Sequence, residues 1–230
     1  MALSDNEYSM PDLPASGPPS ERATIRRMPK RAVYERSQID AILDEGLICH
    51  VGFVAGGQPY VIPVAYVRVG NQIYFHGSAA SRMMRALSAG ADVCLTVTLL
   101  DGLVMARSAF HHSMNFRSVV VLGRARAVTD PAEKSAALHS FTNHVARDRW
   151  EEVREPSAKE LKATSVIALP LDEASAKLRQ GPPLDDPEDY SRPVWAGVVP
   201  VRMQAGEPQP DGRLAPGAAE FDRRRLPCFR

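Results

Sequence analysis

The 230-residue sequence predicts a mainly β protein, a small antiparallel barrel with a few peripheral helices. Three observations predict it. Short apolar runs recur between turns containing Gly or Asn, one of those runs is apolar on both faces, and helical periodicity is confined to brief segments.

In chain order, Ser37 caps a first helix, with Asp40 three positions on, Ile39, Ile42 and Leu43 on its apolar side and Gly46 at its end. "LICHVGFVA", "PYVIPVAYVRV" and "IYFHG" follow as three strands joined by the tight turns "GGQ" and "GNQ". In the second strand Tyr60, Ile62, Val64 and Tyr66 share one side, and Val61, Ala65 and Val67 the other. A strand apolar on both faces lines a barrel interior while a partner subunit or a flat ligand covers its exterior. A short helix then carries Arg82 early and Met83, Met84 and Leu87 on its apolar side. "DVCLTVTLL" and "LVMARSAF" read as a hairpin about an Asp-Gly turn. "HHSMNFRSVVVLGRARAV" supplies a polar lead and a long strand, with Gly123 as its bulge. Asp130, Pro131 and Glu133 start a helix as cap, first-turn proline and capping-box acid, and its core stripe is Leu138, Phe141 and Val145. "TSVIALPL" is the last strand of the barrel.

This reading divides the chain into a flexible or surface-draped arm over 1–30, a barrel domain over 31–180 and a proline-rich extension over 181–230. Within the extension, "VWAGVVPV" is expected to dock as an edge strand or against a partner. The formal net charge of +1 argues against a nucleic-acid or anionic-membrane partner. No apolar run is long enough for a membrane span, and the N-terminus lacks the apolar core of a secretory signal. Cys49, Cys94 and Cys228 are odd in number and form no CxxC pattern. The two within apolar runs, Cys49 and Cys94, read as buried, reduced thiols of a cytoplasmic protein.

Two stretches carry chemistry. In "IYFHGSAASRMMRAL" a strand runs through His76 into Gly77 and Ser78, and a helix opens at Ser81 and Arg82. Small residues admit backbone amides to a ligand, and an arginine there suits a phosphate. The alternative is an ordinary strand–helix corner with Ser78 or Ser81 as cap and Arg82 in solvent. In "HHSMNFRS", His111 and His112 point to opposite faces of an extended chain and do not easily share one metal. No HExxH or CxxC completes a metal motif, and His139 and His144 are five residues apart, off a shared helical face. One of the pair could be a base or a haem ligand; the other reading is a turn with solvated imidazoles. GxSxG, P-loop and GxGxxG signatures are absent from the sequence.

The ordered blocks "GQPYVIPVAYV", "IYFHGSAASRMMRAL", "HHSMNFRSVVVLGRARAV" and "TSVIALPLDEASAKLRQGPP" resemble the pyridoxamine 5′-phosphate oxidase-like superfamily of FMN-binding split barrels. The flavin-nucleotide-binding branch that includes nitroimidazole-resistance proteins is the nearer match, over roughly residues 25–200. The resemblance implies a homodimer with FMN in a cleft at the subunit interface. It favours the phosphate reading of the first stretch and makes "HHSMNFRS" the rim of the flavin pocket. The backbone and side chains of Val61, Ile62, Pro63, Val64 and Tyr66 would line the isoalloxazine. His76 and Gly77 would contact the flavin, Ser78, Ser81, Arg82 and Met83 would form the phosphate turn, and Arg117 and Ser118 would hold the ring or phosphate.

Departures are visible too. Met83 stands where true oxidases carry a lysine, and Phe116 where branch members often carry Tyr. "GRLAP" at Gly212–Pro216 is similar to the C-terminal end of true oxidases but lacks their tryptophan strand and basic motif. Vitamin B6 oxidation is therefore not expected. The implied activity is oxidation or reduction of a small aromatic, nitro or quinone-like substrate, with the cofactor carrying the electrons. His76 is the candidate proton donor, and His111 or His112 faces the substrate. The alternatives are a non-catalytic flavin or haem binder, with His111 or His112 axial to the haem, and a reductase using deazaflavin F420.

Overall fold

The computed structural model describes residues 17–227, so most of the proposed N-terminal arm and Cys228 lie outside the described residues. Residues 17–30 lie against the body of the protein: Ala23 is buried, Arg22 pairs with Glu173, and Lys177 donates to the Arg27 carbonyl at 3.1 Å.

A two-residue strand, β1 (Ala32–Val33), leads into α1 (Arg36–Glu45). Ile39, Ile42 and Leu43 of α1 are buried, as their spacing requires. The cap is Glu35 rather than Ser37: its carboxylate accepts from the Ser37 amide, two residues earlier than the sequence suggested. The next strands are β2 (Ile48–Ala55), β3 (Gln58–Val69) and β4 (Gln72–Ser78). Gly56 and Gly57, at φ 58° and 78°, supply the left-handed pair that a tight β2–β3 turn needs. α2 (Arg82–Ser88) buries Met83, Met84 and Leu87.

β5 (Asp92–Met105) is a single strand, not the hairpin expected about Asp101-Gly102. It pairs along its length with β6 (Ser113–Arg124), and Asp101 is accommodated as an irregularity between Leu100 and Gly102. Asp-Gly is a turn signal only where the chain has to reverse, and here pairing continues on both sides of it. Gly123, conversely, pairs regularly with Val93 and makes no bulge.

Ala125 alone separates β6 from β7 (Arg126–Ala127). α3 (Pro131–Val145) is capped by Asp130, which accepts from the Ala132 and Glu133 amides. Glu133 does not complete a capping box; its carboxylate accepts from Tyr74 and Arg126 instead. Val145 is exposed, and Ala137 is the helix's buried residue, because α3 packs its middle rather than its end on the sheet. α4 (Ala158–Ala163) opens on a full capping box between Ser157 and Glu160. Two strands then follow where one was expected, β8 (Thr164–Pro170) and β9 (Glu173–Arg179). β10 (Gly197–Pro200) pairs antiparallel with β5.

The strand order is β1-β9-β6-β5-β2-β3-β4-β8-β7. Because β7 continues β6 across one residue, the order closes on itself: β6, β5, β2, β3, β4 and β8 return to β7. β3 makes the split, pairing with β2 through Ala65 and with β4 from Tyr66 onward. The interior holds Val51, Tyr66, Phe75, Leu95, Val97, Val119 and Ile167, with Leu43 of α1 and Met84 of α2 packed into it from the helices. A smaller cluster, with Val128, Ala137, Val166 and Ala168, lies between α3 and the sheet. Cys49 is buried, and burial pushes its thiol up to about 12. Cys94 is exposed, contrary to the expectation of two buried thiols, because it is one residue out of phase with the buried Val93 and Leu95.

Candidate functional site

Strand parity sorts the sequence candidates. Tyr60, Ile62 and Val64 turn toward the core, while Val61 and Pro63 are exposed on the outer face, Val61 at 69%. Register extends that outer face across β2, β5 and β6: Val61 pairs with Gly52 and Gly52 with Cys94, and Pro63 pairs with His50 and His50 with Thr96. Cys94 pairs with Leu122, Thr96 with Val120 and Thr98 with Ser118, so Ser118 shares the face. Ile48, Val54, Val61 and Leu100 are exposed apolar residues of this face. His50, at its centre, was not singled out from sequence, where a lone histidine inside an apolar strand gives no signal.

The Tyr66 side chain is removed from any ligand-facing role. It is fully buried and donates from its hydroxyl to the Leu43 carbonyl at 2.6 Å. Burial is the main reason its phenol is held above the ordinary tyrosine range. The Met83 side chain is likewise in the core. Gly77 faces Met84, where a Cβ would come within 2.7 Å of the terminal methyl group and push it aside.

At the turn before α2, the Ser81 hydroxyl accepts from the Met84 amide at 3.2 Å and Ser78 accepts from the Ala80 amide at 3.3 Å. Arg82 is exposed, with its guanidinium 4.7 Å over the Tyr60 ring. Among the described residues it makes no ion pair, so its donors are open to an anion. Arg117 is in the opposite condition. It donates to Asp101 and to Glu45, and those hydrogen bonds hold its guanidinium more firmly charged than usual. The row through Tyr60, Phe53 and Val93 meets β6 at Gly123, six residues from Arg117. Six strand residues span about 20 Å. Arg82 and Arg117 of one chain therefore do not form one phosphate clamp.

His76 lies on the outer side of β4 beneath α3, on the side opposite Gly77. Its ring meets Phe141 edge-on at 4.5 Å between centroids. Beside it opens a cavity of about 500 Å³ lined by Leu138, Phe141, Trp150, Arg154 and Leu161 among others. Burial pushes the imidazole below its ordinary value, which favours the neutral ring. Sequence reasoning placed His76 at the flavin turn and missed this cavity, because its walls come from segments more than 60 residues away.

His111 and His112 lie in the short turn Ala109–His111 and just after it, between β5 and β6. His111 Nε2 is 3.3 Å from Asp186, and His112 Nδ1 is 2.9 Å from the Ser108 carbonyl. Asp185 anchors the turn by accepting from the Arg107 amide and guanidinium and the Ser108 amide. Phe110, just before His111, is 90% exposed. Among the described residues no group of three or more His, Cys, Asp or Glu is placed to hold a metal ion, and no helix is long and apolar enough to cross a membrane.

A closed, split antiparallel barrel with an open arginine at a strand–helix turn is the architecture of a flavin-binding split-barrel protein. The chain belongs to the pyridoxamine 5′-phosphate oxidase family, whose model matches residues 35–178. It is similar to the flavocytochrome Anf3 of Azotobacter vinelandii, with 45% identity over 90% of this chain and 96% of that one, at a TM-score of 0.85. It is similar also to the FAD and haem binding protein of Mycobacterium smegmatis, with 36% identity over 83% of this chain and 94% of that one, at a TM-score of 0.79. A Bacteroides thetaiotaomicron protein named for 5-nitroimidazole antibiotic resistance shares the fold, at 23% identity over 64% of this chain and 85% of that one, with a TM-score of 0.55. No curated protein sequence matches the chain.

Proposed function

We propose that this chain is a flavin-dependent oxidoreductase that works as a homodimer and pairs its flavin with a haem. One observation carries the reading: the likeness to a flavocytochrome at 45% identity extends over 90% of the chain, rather than over the barrel alone. The flavin supplies hydride and electron transfer when bound. Arg82 takes the cofactor's phosphate, helped by the small residues of the Ser78–Ser81 turn. The outer face bearing Val61, Pro63 and Ser118 meets the ring and the second subunit, which excludes water from Ile48 and Val54 as well. The substrate is a small aromatic, nitro or quinone-like acceptor.

The test is an absorption spectrum of the purified protein with mass spectrometry of whatever it releases, alongside its sedimentation. Release of FMN or FAD from a dimer supports the reading and names the flavin. Release of F420 instead replaces the flavin by a deazaflavin. A monomer that neither carries nor takes up flavin overturns the proposal.

A further inference from the structure

We propose that the cavity beneath α3 is the haem site of this chain, with His76 as the axial ligand; this rests on the flavin–haem reading above. The chain has six histidines, and their surroundings separate them. His144 is held by the Gly46 carbonyl at 2.9 Å, and His139 lies between Glu151 at 3.4 Å and Asn143 at 3.4 Å. His111 faces Asp186, and His112 is exposed on the Ser108 carbonyl. His50 is on the open outer sheet face. His76 alone lines the cavity of about 500 Å³.

The cavity has the chemistry a porphyrin needs. Its volume falls within the roughly 300–1,000 Å³ of ligand pockets. Leu138, Phe141, Trp150 and Leu161 give apolar and aromatic walls, and the Phe141 edge contact fixes the plane of the His76 ring. Arg154 at the rim is a carboxylate-binding group, as its two hydrogen bonds to Glu160, at 2.8 and 2.6 Å, already demonstrate. Both partners are largely exposed, so a porphyrin carboxylate can compete for the guanidinium at little cost. Among the described residues that line the cavity there is no second His and no Cys or Met. A haem held by His76 alone would keep its opposite axial position open to small ligands.

Titration of the full-length protein with haemin, followed by absorption and electron paramagnetic resonance, tests this. The wild type takes one haem per chain with a high-spin ferric signal, and after reduction it binds carbon monoxide. His76→Ala weakens haem binding by more than about tenfold, and added imidazole restores the Soret band. Leu138→Trp fills the cavity while leaving His76 in place, and it too blocks uptake. Flavin content reports the fold in each variant, and His111→Ala and His112→Ala keep the wild-type haem spectrum. If His76→Ala and Leu138→Trp both retain that spectrum, the site is elsewhere and the two-cofactor reading survives. If the wild type takes up no haem, both fall. A low-spin, two-histidine spectrum overturns the open axial position.

Discussion

Removing the phenolic oxygen of Tyr66 separates a core role from a flavin-facing one. The side chain is fully buried, and its hydroxyl lies 2.6 Å from the Leu43 carbonyl. Leu43 is in the last turn of α1, whose carbonyls lack partners within the helix. Tyr66→Phe preserves the ring and its packing but strands a buried acceptor. A satisfied hydrogen bond contributes about 0.5–1.5 kcal/mol net, and an orphaned buried group costs about 1–3 kcal/mol. The variant is therefore expected to lose about 1–3 kcal/mol. For a chain of this size each kcal/mol moves Tm by about 2–4 °C, which gives a drop of roughly 2–12 °C. Circular dichroism melts of the cofactor-free protein read that drop, and a flavin titration of the same samples reads affinity. An unchanged Tm, or a flavin affinity reduced tenfold with the fold intact, refutes the assignment of Tyr66 to the core.

The two arginines are expected to part in the same assays. Arg82→Ala should weaken flavin binding by about 10–100-fold, the range for a charge-assisted hydrogen bond of about 1.5–3 kcal/mol, while leaving the melt unchanged. Arg117→Met should lower the melt, because Asp101 and Glu45 lose their shared partner. Glu133 makes stability depend on acid. Hydrogen bonding from Arg126, seconded by Tyr74, holds its carboxyl below the ordinary value. Its contribution is thus fully present above the usual glutamate range and is lost as pH falls through the depressed value. The stability gap between wild type and Glu133→Gln should be open at neutral pH and close in acid, measured by urea melts at both pH values. Alkylation separates the thiols: in a Cys228→Ser background, Cys49 should resist iodoacetamide at pH 8, its thiol being pushed up to about 12. Cys94, on the outer face, should react slowly if that face is covered in the proposed dimer, and faster in Val61→Glu.

The barrel strands were legible because period-two alternation and Gly turns are local signals, and β2 to β4 fell within a residue or two of their expected limits. β9 was missed because "EASAKLR" buries small residues, Ala174 and Ala176, in an otherwise polar segment. α4 escaped notice although Ser157 and Glu160 spell a capping box that would have announced it. Asp101-Gly102 failed for the opposite reason. A strong local turn signal was overridden by pairing between β5 and β6 that continues to Val104 and Ser113. Arg117 could not be read at all from its neighbours, since its partners Asp101 and Glu45 lie 16 and 72 residues away.

Neighbouring residues of one motif can serve different compartments, and β4 shows why. "IYFHGSAASR" looks like one ligand-binding string, yet a strand alternates its sides at every residue. Phe75 enters the barrel core, His76 leaves it toward Phe141, and Gly77 turns back toward Met84. Only after Ser78 does the chain leave the sheet and bring Arg82 over Tyr60. The same parity divides Val61 and Pro63 from Ile62 and Val64, so no flat ring can rest on all four side chains. A motif match therefore fixes which segment borders a cofactor, while pleat and register decide which of its side chains can touch it. On that basis the candidate flavin contacts contract to Arg82, its turn and the outer face. His76 is left to the cavity under α3, separated from the flavin turn by the thickness of one strand.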